Sequence, residues 1–195
     1  TICASVAIRL ANGLNLDQAG VAEEAADAEW YVGTRGGMMD HATMMFAEEG
    51  AMLKLEFTPF EVKLIEDGLG CRWFSVFTHP ADKGGPVRDA FNELAYVQRE
   101  IIPSYLEGST DGIELEQLME RLPEAIEHEK FGLVRVRDRF QFVMNEYNRV
   151  QSLLSHTMKN DWGYISQLFD GSWNDTRDLL GTHTPEMERV AVELR

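Results

Sequence analysis

Residues 51–67, AMLKLEFTPFEVKLIED, decide the fold class of this 195-residue chain. Apolar and polar side chains alternate along 51–57 and again along 61–67, with only TPF between the two runs. Such alternation is typical of β-strands that bury one face, and a short break between two of them indicates an antiparallel hairpin. A third apolar run, CRWFSVFT at 71–78, extends the prediction to a small antiparallel sheet of three strands.

The segments on both sides of these strands have the periodicity of helices. On the N-terminal side, the small apolar residues of 2–13 predict a buried helix, and 18–31 and 38–48 have apolar residues at helical spacing. On the C-terminal side, helices are predicted for 87–105, 113–121, 131–158, 161–170, 172–179 and 185–195. Helices, then a short run of strands, then helices make an α+β arrangement.

Composition places the chain among globular proteins and excludes some partners. Apolar residues make up 44% of the chain and charged residues 26%, which is enough apolar material for a core. Lysine and arginine total 18 against 33 aspartate and glutamate, so the net charge is −15. This balance disfavours nucleic acid or an anionic membrane surface as the main partner, although a phosphorylated small molecule needs only a few local donors.

The number of cysteines indicates in which cellular compartment the protein is expected. Two cysteines, Cys3 and Cys71, are too few for a disulfide framework, so we expect free thiols and a cytoplasmic location. Cys3 stands among small residues in the first predicted helix and is expected to be buried. No run of about 18 apolar residues and no signal-peptide pattern is present, so neither a membrane span nor secretion is predicted.

The loop GTRGG at 33–37 and the helix after it are the stretch best suited to chemistry. Gly36 and Gly37 permit unusual backbone angles, and a glycine-rich turn that feeds a helix can present N–H groups to an anion. Asp40 stands near the start of that helix, and Glu29 stands on the helix before the loop. A chain reversal would bring both carboxylates to one cleft, where one could hold Mg²⁺ and the other orient or deprotonate a hydroxyl. The alternative is that Asp40 only caps its helix and Glu29 is solvated.

This region also carries a family resemblance. GTRGGMMDHATMMFAEEGAMLKLEF, residues 33–57, resembles the motif region of galactokinases and N-acetylgalactosamine kinases in the GHMP kinase superfamily. That family has a glycine pair, then x-Met-Asp-Gln, a helix, a glycine and a strand. TICASVAIRLANGL at 1–14 is similar to the family's small-residue helix after the G-L-S-S-S phosphate loop, and Glu29 to its glutamate before the catalytic loop.

The resemblance continues towards the C-terminus. NEYNRV at 145–150 is similar to an E-N-x-R-V-like segment of the family. SWNDTRDLLGTHTPEME at 172–188 is similar to the family's S-H-x-x-x-R-D…P-E-L-D segment. The similarity therefore covers most of the chain in the family's order. It implies a GHMP kinase-like two-domain fold, with 1–50 as the last part of the ATP-binding catalytic domain and 51–195 as an incomplete second domain.

The resemblance also implies an activity and a set of site residues. ATP and Mg²⁺ would be the cofactors, and the anomeric hydroxyl of galactose or a related sugar would receive the phosphate. Asp40 would be the catalytic carboxylate beside that hydroxyl, and Glu29 would bind Mg²⁺. Thr1 would lie beside the nucleotide's phosphates, at the N-terminus of its helix. The sugar would be contacted by residues of the loop and the following helix, namely Gly36, Gly37, Asp40 and His41.

Two positions differ from the family pattern, and some family motifs are not in the sequence. His41 stands where the family has Gln, and Gly85 stands where it has a sugar-contacting Tyr. The N-terminal sugar motif, the G-L-S-S-S loop and the C-terminal G-A-G-x-G-G motif do not occur, which predicts a central fragment of a longer kinase that is inactive alone. The alternatives are a GHMP kinase for another sugar, such as N-acetylgalactosamine or arabinose, and a non-catalytic galactokinase-like sugar sensor or scaffold.

Overall fold

The computed structural model describes residues 1–33, 36–66, 72–80, 84–106, 115–157, 159 and 161–194. In these ranges helices precede and follow a short antiparallel hairpin, so the chain is α+β and mostly helical, as the sequence pattern predicts. It divides into two units, Thr1–Cys71 and Arg72–Arg195. None of the helices in the described ranges is long and apolar enough to cross a lipid bilayer.

Three helices and one hairpin make up the described part of the first unit. They are α1 (Ile2–Ala11), α2 (Gln18–Trp30), α3 (Met39–Phe46), β1 (Ala51–Phe57) and β2 (Phe60–Glu66). α2 packs against both α1 and α3, and its buried face consists of alanines and one valine, which let the helix axes approach closely. Val21 and Ala25 of this face form a buried cluster with Ile2 of α1.

The hairpin is attached to the last helix before it. β1 and β2 pair antiparallel over their full length, from Ala51 opposite Glu66 to Phe57 opposite Phe60. An isolated two-stranded hairpin is marginal in water, so it needs a surface to pack on. α3 offers that surface, because the Phe60 ring lies 5.9 Å from the ring of Phe46 at the helix end. The hairpin therefore lies in the unit Thr1–Cys71, and the domain boundary after residue 50 that the resemblance implies stays a prediction.

The second unit consists of helices and one short strand pair in its described residues. Its elements are α4 (Gly85–Tyr96), a first π-helical segment (Val97–Ile101), α5 (Ile102–Leu106), α6 (Leu115–Arg121), β3 (Ile126–His128), β4 (Gly132–Val134), α7 (Val136–Thr157), α8 (Trp162–Asp175), a second π-helical segment (Thr176–Leu180) and α9 (Pro185–Leu194). β3 and β4 pair antiparallel. The core lies where the first π-helical segment, α6, β4 and α7 meet, and consists of Val97, Leu118, Leu122, Val134, Val136 and Phe140.

The third strand predicted for 71–78 does not form. Residues 72–78 have no regular secondary structure, and β1 and β2 pair only with each other in the described part of the chain. The prediction was wrong because the run is apolar almost throughout, and such a run carries no period that identifies a strand. Its side chains Phe74 and Phe77 are exposed, while the Trp73 ring lies edge-on to Phe169 of α8 at 6.3 Å.

The helix predicted for 131–158 is shorter than expected. It begins at Val136 and ends at Thr157 as α7. The preceding residues form β4, whose first residue, Gly132, has a positive φ of 69°. This left-handed conformation suits glycine and is incompatible with a right-handed helix, so the chain forms the β3–β4 pair there instead.

The helices predicted for 161–170 and 172–179 form one continuous element. α8 runs directly into the second π-helical segment, and Gly171 lies inside it. A glycine in a helix interior costs about 1 kcal/mol relative to alanine, so its position calls for a packing reason. That reason is Arg149 of α7, whose Nη1 would lie 3.2 Å from a Cβ at Gly171.

The first helix is less buried than its composition predicts. Ile2 is its one buried residue, and Ile8 and Leu10 are exposed. Cys3 is exposed as well, so the expectation of a buried thiol is wrong. Cys71 lies outside the described residues. Alanine and other good helix formers make this segment helical by propensity, and propensity does not require burial.

Candidate functional site

The residues predicted to carry chemistry lie at the junction of α2 and α3. Glu29 is in the last turn of α2, and Asp40 is in the first turn of α3. Between them, Gly33 has a positive φ of 93°, which turns the chain out of α2. Residues 34–35 lie outside the described part of the loop. Because the two helices pack together, the end of α2 and the start of α3 are neighbours in space.

A polar pair joins the two helices at this junction. His41 Nε2 lies 3.5 Å from Glu29 Oε1, and the side chains are 7% and 37% exposed. The other ring nitrogen, Nδ1, is buried without a hydrogen-bond partner in the described residues. Gly36 also lies close to the carboxylate, since a Cβ at this glycine would come 3.4 Å from Glu29 Oε2. The Glu29 carboxylate thus has both an imidazole and a glycine as neighbours.

Asp40 stands beside this pair in sequence but has a different environment. It is exposed, whereas the next residue, His41, is buried. The N-cap position of α3 belongs to Met38, so Asp40 lies inside the first turn and is not the cap residue. A carboxylate there interacts favourably with the positive end of the helix dipole. Gly37, which precedes Met38, is exposed too, so the surface next to Asp40 is open.

Thr1 occupies the N-cap position of α1 and is exposed. Its carbonyl oxygen accepts from the backbone N–H of Ser5 at 3.0 Å, which begins the helix. Ile2, the next residue, lies in the buried cluster with Val21 and Ala25 of α2. Ala25 stands one helical turn, about 6 Å along the axis, before Glu29. The first residue of the chain therefore lies on the same helix bundle as Glu29 and Asp40.

An open cleft of ≈ 520 Å³ also lies in the first unit, away from these carboxylates. Its walls are the start of α2 and the end of α3, and they include Val6, Leu16, Asp17, Gln18, Met45 and Phe46. Gln18 Nε2 donates to the backbone oxygen of Met45 at 3.2 Å within it. Glu29 and Asp40 lie at the opposite ends of the same two helices, so this concavity and the predicted site are distinct.

In the second unit, the two segments that resemble the kinase family come together. Arg149 on α7 donates to Asp175 on α8 at 2.5 Å and to Glu146 at 2.6 Å. Ser172 Oγ donates to Glu146 Oε2 at 3.2 Å. Burial alone would lower the pKa of Arg149, but the hydrogen bonds to Asp175 and Glu146 outweigh it and raise that pKa above its ordinary value. This network joins α7 to α8.

A second polar cluster, which sequence reasoning missed, surrounds His183. Its ring lies 3.9 Å from the Trp173 ring, and its Nδ1 is 3.5 Å from Glu188 Oε2. Trp173 Nε1, His183 Nδ1 and Glu188 Oε2 are buried without hydrogen-bond partners in the described ranges. Beside them, Arg177 donates to Asp178 at 2.7 Å, which raises the pKa of Arg177 and lowers that of Asp178. No motif spacing in the sequence indicates this cluster.

The chemistry open to the α2–α3 junction depends on its few carboxylates. Within the described ranges, no group of three or more His, Cys, Asp or Glu side chains is arranged to hold a metal ion. A Mg²⁺ ion shared with phosphates needs fewer protein ligands, because phosphate oxygens and water supply the rest. Glu29 meets that smaller requirement, since its side chain is partly exposed. No known family model matches the chain.

Proposed function

We propose that the chain supplies sugar-side and phosphate-side residues of a GHMP-type sugar kinase that acts in the cytoplasm with ATP and Mg²⁺. The reaction transfers the γ-phosphoryl group of ATP to the anomeric hydroxyl of galactose or a related sugar and yields the sugar 1-phosphate. The observation that supports this most directly is the junction of α2 and α3, where Glu29 and Asp40 flank the glycine pair Gly36 and Gly37. The resemblance of 33–57 to the galactokinase motif supports it further.

In this proposal Asp40 acts on the sugar hydroxyl. Its exposure in the first turn of α3 makes it accessible, and the neighbouring Gly37 leaves room for a sugar ring because it has no side chain. A carboxylate is a weak base at neutral pH. Asp40 would therefore accept the hydrogen bond of the hydroxyl and take its proton only as the new phosphorus–oxygen bond forms.

Glu29 and Thr1 would act on the phosphate side. Bound Mg²⁺ neutralises charge on the transferring phosphates. Glu29 would hold that ion through Oε2, the oxygen beside Gly36. Thr1 stands at the N-terminus of α1, where unpaired backbone N–H groups favour anions. The residues themselves would then contribute mainly by holding sugar and phosphate in line.

A non-catalytic sugar sensor or scaffold is the second candidate. The observation that favours it is the contact between Glu29 Oε1 and His41 Nε2, because it engages one oxygen of the carboxylate that a kinase would offer to Mg²⁺. In such a protein Asp40 and Gly37 would still bind a sugar, and no phosphate would be transferred. The alternative of a GHMP kinase for another sugar differs from the first proposal only in the sugar accepted.

ADP release by the polypeptide that the gene encodes tests the kinase proposal. It is measured with ATP, Mg²⁺ and a panel of galactose, N-acetylgalactosamine, arabinose and glucose. Asp40→Asn is compared with Asp27→Asn, which makes the same chemical change at an exposed residue on the opposite side of α2 from Glu29. We expect sugar-dependent release that Asp40→Asn lowers by about 10²–10⁴-fold and Asp27→Asn leaves unchanged.

Ligand-observed NMR on the same proteins separates the two candidates. A sugar that binds without ADP release, and no longer binds after Asp40→Asn, would support the sensor and contradict the kinase. Full turnover in Asp40→Asn would refute the catalytic role of this residue. If the protein neither binds nor phosphorylates any sugar of the panel, both candidates are contradicted.

A further inference from the structure

We propose that residues 72–78, RWFSVFT, pair antiparallel with the same segment of a second copy of the chain. This segment contains no helix, turn or bend, and it pairs with none of the strands in the described part of the chain. Its composition is that of a strand, so the segment lacks the partner that its sequence calls for. A second copy provides that partner. The inference concerns how copies of the chain associate and does not depend on the proposed kinase activity.

The backbone of 72–78 has free hydrogen-bonding groups. Within the described ranges, none of its N–H or C=O groups makes a hydrogen bond. A row of unpaired N–H and C=O groups is a template on which another chain can add a strand. An identical segment that runs in the opposite direction presents the matching donors and acceptors.

The side chains of the segment are exposed and favour a strand. Trp73, Phe74, Val76 and Phe77 are all exposed. Aromatic and β-branched residues of this kind are enriched in strands. Trp73 lies edge-on to the ring of Phe169 on α8 at 6.3 Å, yet it stays 65% exposed. Contiguous exposed apolar surface marks interaction sites in soluble proteins, and pairing with a second copy would cover part of it.

The sequence of the segment is complementary to itself. When two copies run antiparallel and centre on Ser75, the cross-strand pairs are Arg72–Thr78, Trp73–Phe77, Phe74–Val76 and Ser75–Ser75. Aromatic residues opposite aromatic or β-branched residues stabilise a sheet, and like charges that face each other destabilise it. In this register every aromatic ring lies opposite an apolar side chain, and the one charged residue, Arg72, lies opposite an uncharged threonine. These pairings favour a second copy over an unrelated partner.

Disulfide crosslinking tests the register. Cys3 and Cys71 are first replaced by serine, and Ser75→Cys is then oxidised in the full chain. Residues directly opposite each other in an antiparallel pair have Cα atoms about 4.5–5.5 Å apart, a distance that a disulfide spans. Thr78→Cys is the matched control, because the two copies of residue 78 would lie about 20 Å apart. We expect a covalent dimer from Ser75→Cys and none from Thr78→Cys.

Charges at position 75 test the pairing in solution, where dimerisation is measured by analytical ultracentrifugation over a range of concentrations. Ser75→Lys and Ser75→Glu each place like charges opposite each other and should weaken dimerisation at least about tenfold. A mixture of the two variants places a lysine opposite a glutamate and should dimerise again. Ser155→Lys makes the same change at an exposed serine on α7 and should leave dimerisation unchanged.

Several outcomes would contradict this pairing. A chain that remains monomeric at about 1 mM overturns the inference. Equal crosslinking at positions 75 and 78 overturns it too, as does an equal effect of Ser75→Lys and Ser155→Lys on dimerisation. Thermal unfolding shows whether each variant is folded, and a mixture of folded Ser75→Lys and Ser75→Glu that fails to dimerise also overturns it. Kinase activity is not a readout here, so none of these results bears on the proposed function.

Discussion

Arg139 Nη2 lies 2.6 Å from Glu93 Oε2, and the two side chains are only 5% and 12% exposed. The same guanidinium donates through Nη1 to the carbonyl oxygens of Leu179 and Leu180. Glu93→Gln would leave a buried positive charge without its counter-charge. We expect the free energy of unfolding, measured by urea denaturation, to fall by about 3 kcal/mol.

An exposed pair provides the control for this prediction. Arg189 Nη2 lies 3.4 Å from Glu186 Oε1 on the surface of α9. Because solvent screens such pairs, Glu186→Gln should change the free energy of unfolding by less than about 1 kcal/mol. If the two substitutions lower the free energy of unfolding by the same amount, the Arg139–Glu93 pair is not the buried link between α7 and α4 that its geometry indicates.

A second prediction concerns Gly171, where the effect of a substitution on stability depends on the neighbouring Arg149. Alanine in a helix interior is usually more stable than glycine by about 1 kcal/mol. A Cβ here would lie 3.2 Å from Arg149 Nη1, and Arg149 is held by Asp175 and Glu146. Gly171→Ala should therefore be destabilising in the unchanged chain and stabilising by about 1 kcal/mol in an Arg149→Ala background.

Gly163 serves as the control for that experiment, because the nearest atom to a Cβ there, Asp161 Oδ1, would be 3.9 Å away, an ordinary contact. Gly163→Ala should raise the melting temperature whether or not Arg149 is present. A stabilising Gly171→Ala in the unchanged chain would show that the Arg149 side chain can move aside without losing its carboxylate partners.

An element of this fold could be predicted from the sequence where its own residues show a periodic pattern of apolar side chains. The hairpin at 51–66 alternates with period two, and α2 and α3 have apolar residues at helical spacing, so local pattern was sufficient for them. β3 and β4 have three residues each, too few to show a period. Residues 72–78 have strand-like composition, but a strand also needs a partner to pair with, and composition does not supply that information.

The candidate site, too, was predictable in some features and not in others. The glycine-rich turn predicts that the chain reverses between Glu29 and Asp40, and their helices are adjacent in the structure. The sequence could not show that His41 turns into the helix interface while its neighbour Asp40 stays exposed, because that depends on how α3 is rotated against α2. The His183 cluster was missed for a related reason, since contacts between separate elements leave no spacing rule in the sequence.

The pH dependence of the Arg177–Asp178 pair has a definite sign. The hydrogen bond from Arg177 holds the pKa of Asp178 below its ordinary value. A carboxyl group with a lowered pKa in the folded state stabilises the fold above the unfolded pKa of about 3.9, and this contribution is lost as the pH falls through the folded pKa. Carbon-13 NMR titration should show the lowered pKa, and Arg177→Gln should raise it, whereas Arg189→Gln should not. A normal Asp178 pKa in the unchanged chain would contradict the pairing.

The exposed aromatic residues of 72–78 lead to a last prediction. Phe74 and Phe77 are 84% and 79% exposed, so their replacement by serine should change the free energy of unfolding by no more than about 0.5 kcal/mol. Because exposed apolar surface promotes association, the same changes should lower dye binding and self-association, measured by ANS fluorescence and analytical ultracentrifugation. Phe140→Ala, in the core of the second unit, is the control and should lower the free energy of unfolding by about 3–5 kcal/mol. A loss of more than about 1 kcal/mol in Phe74→Ser would show that this segment is packed against other residues in solution.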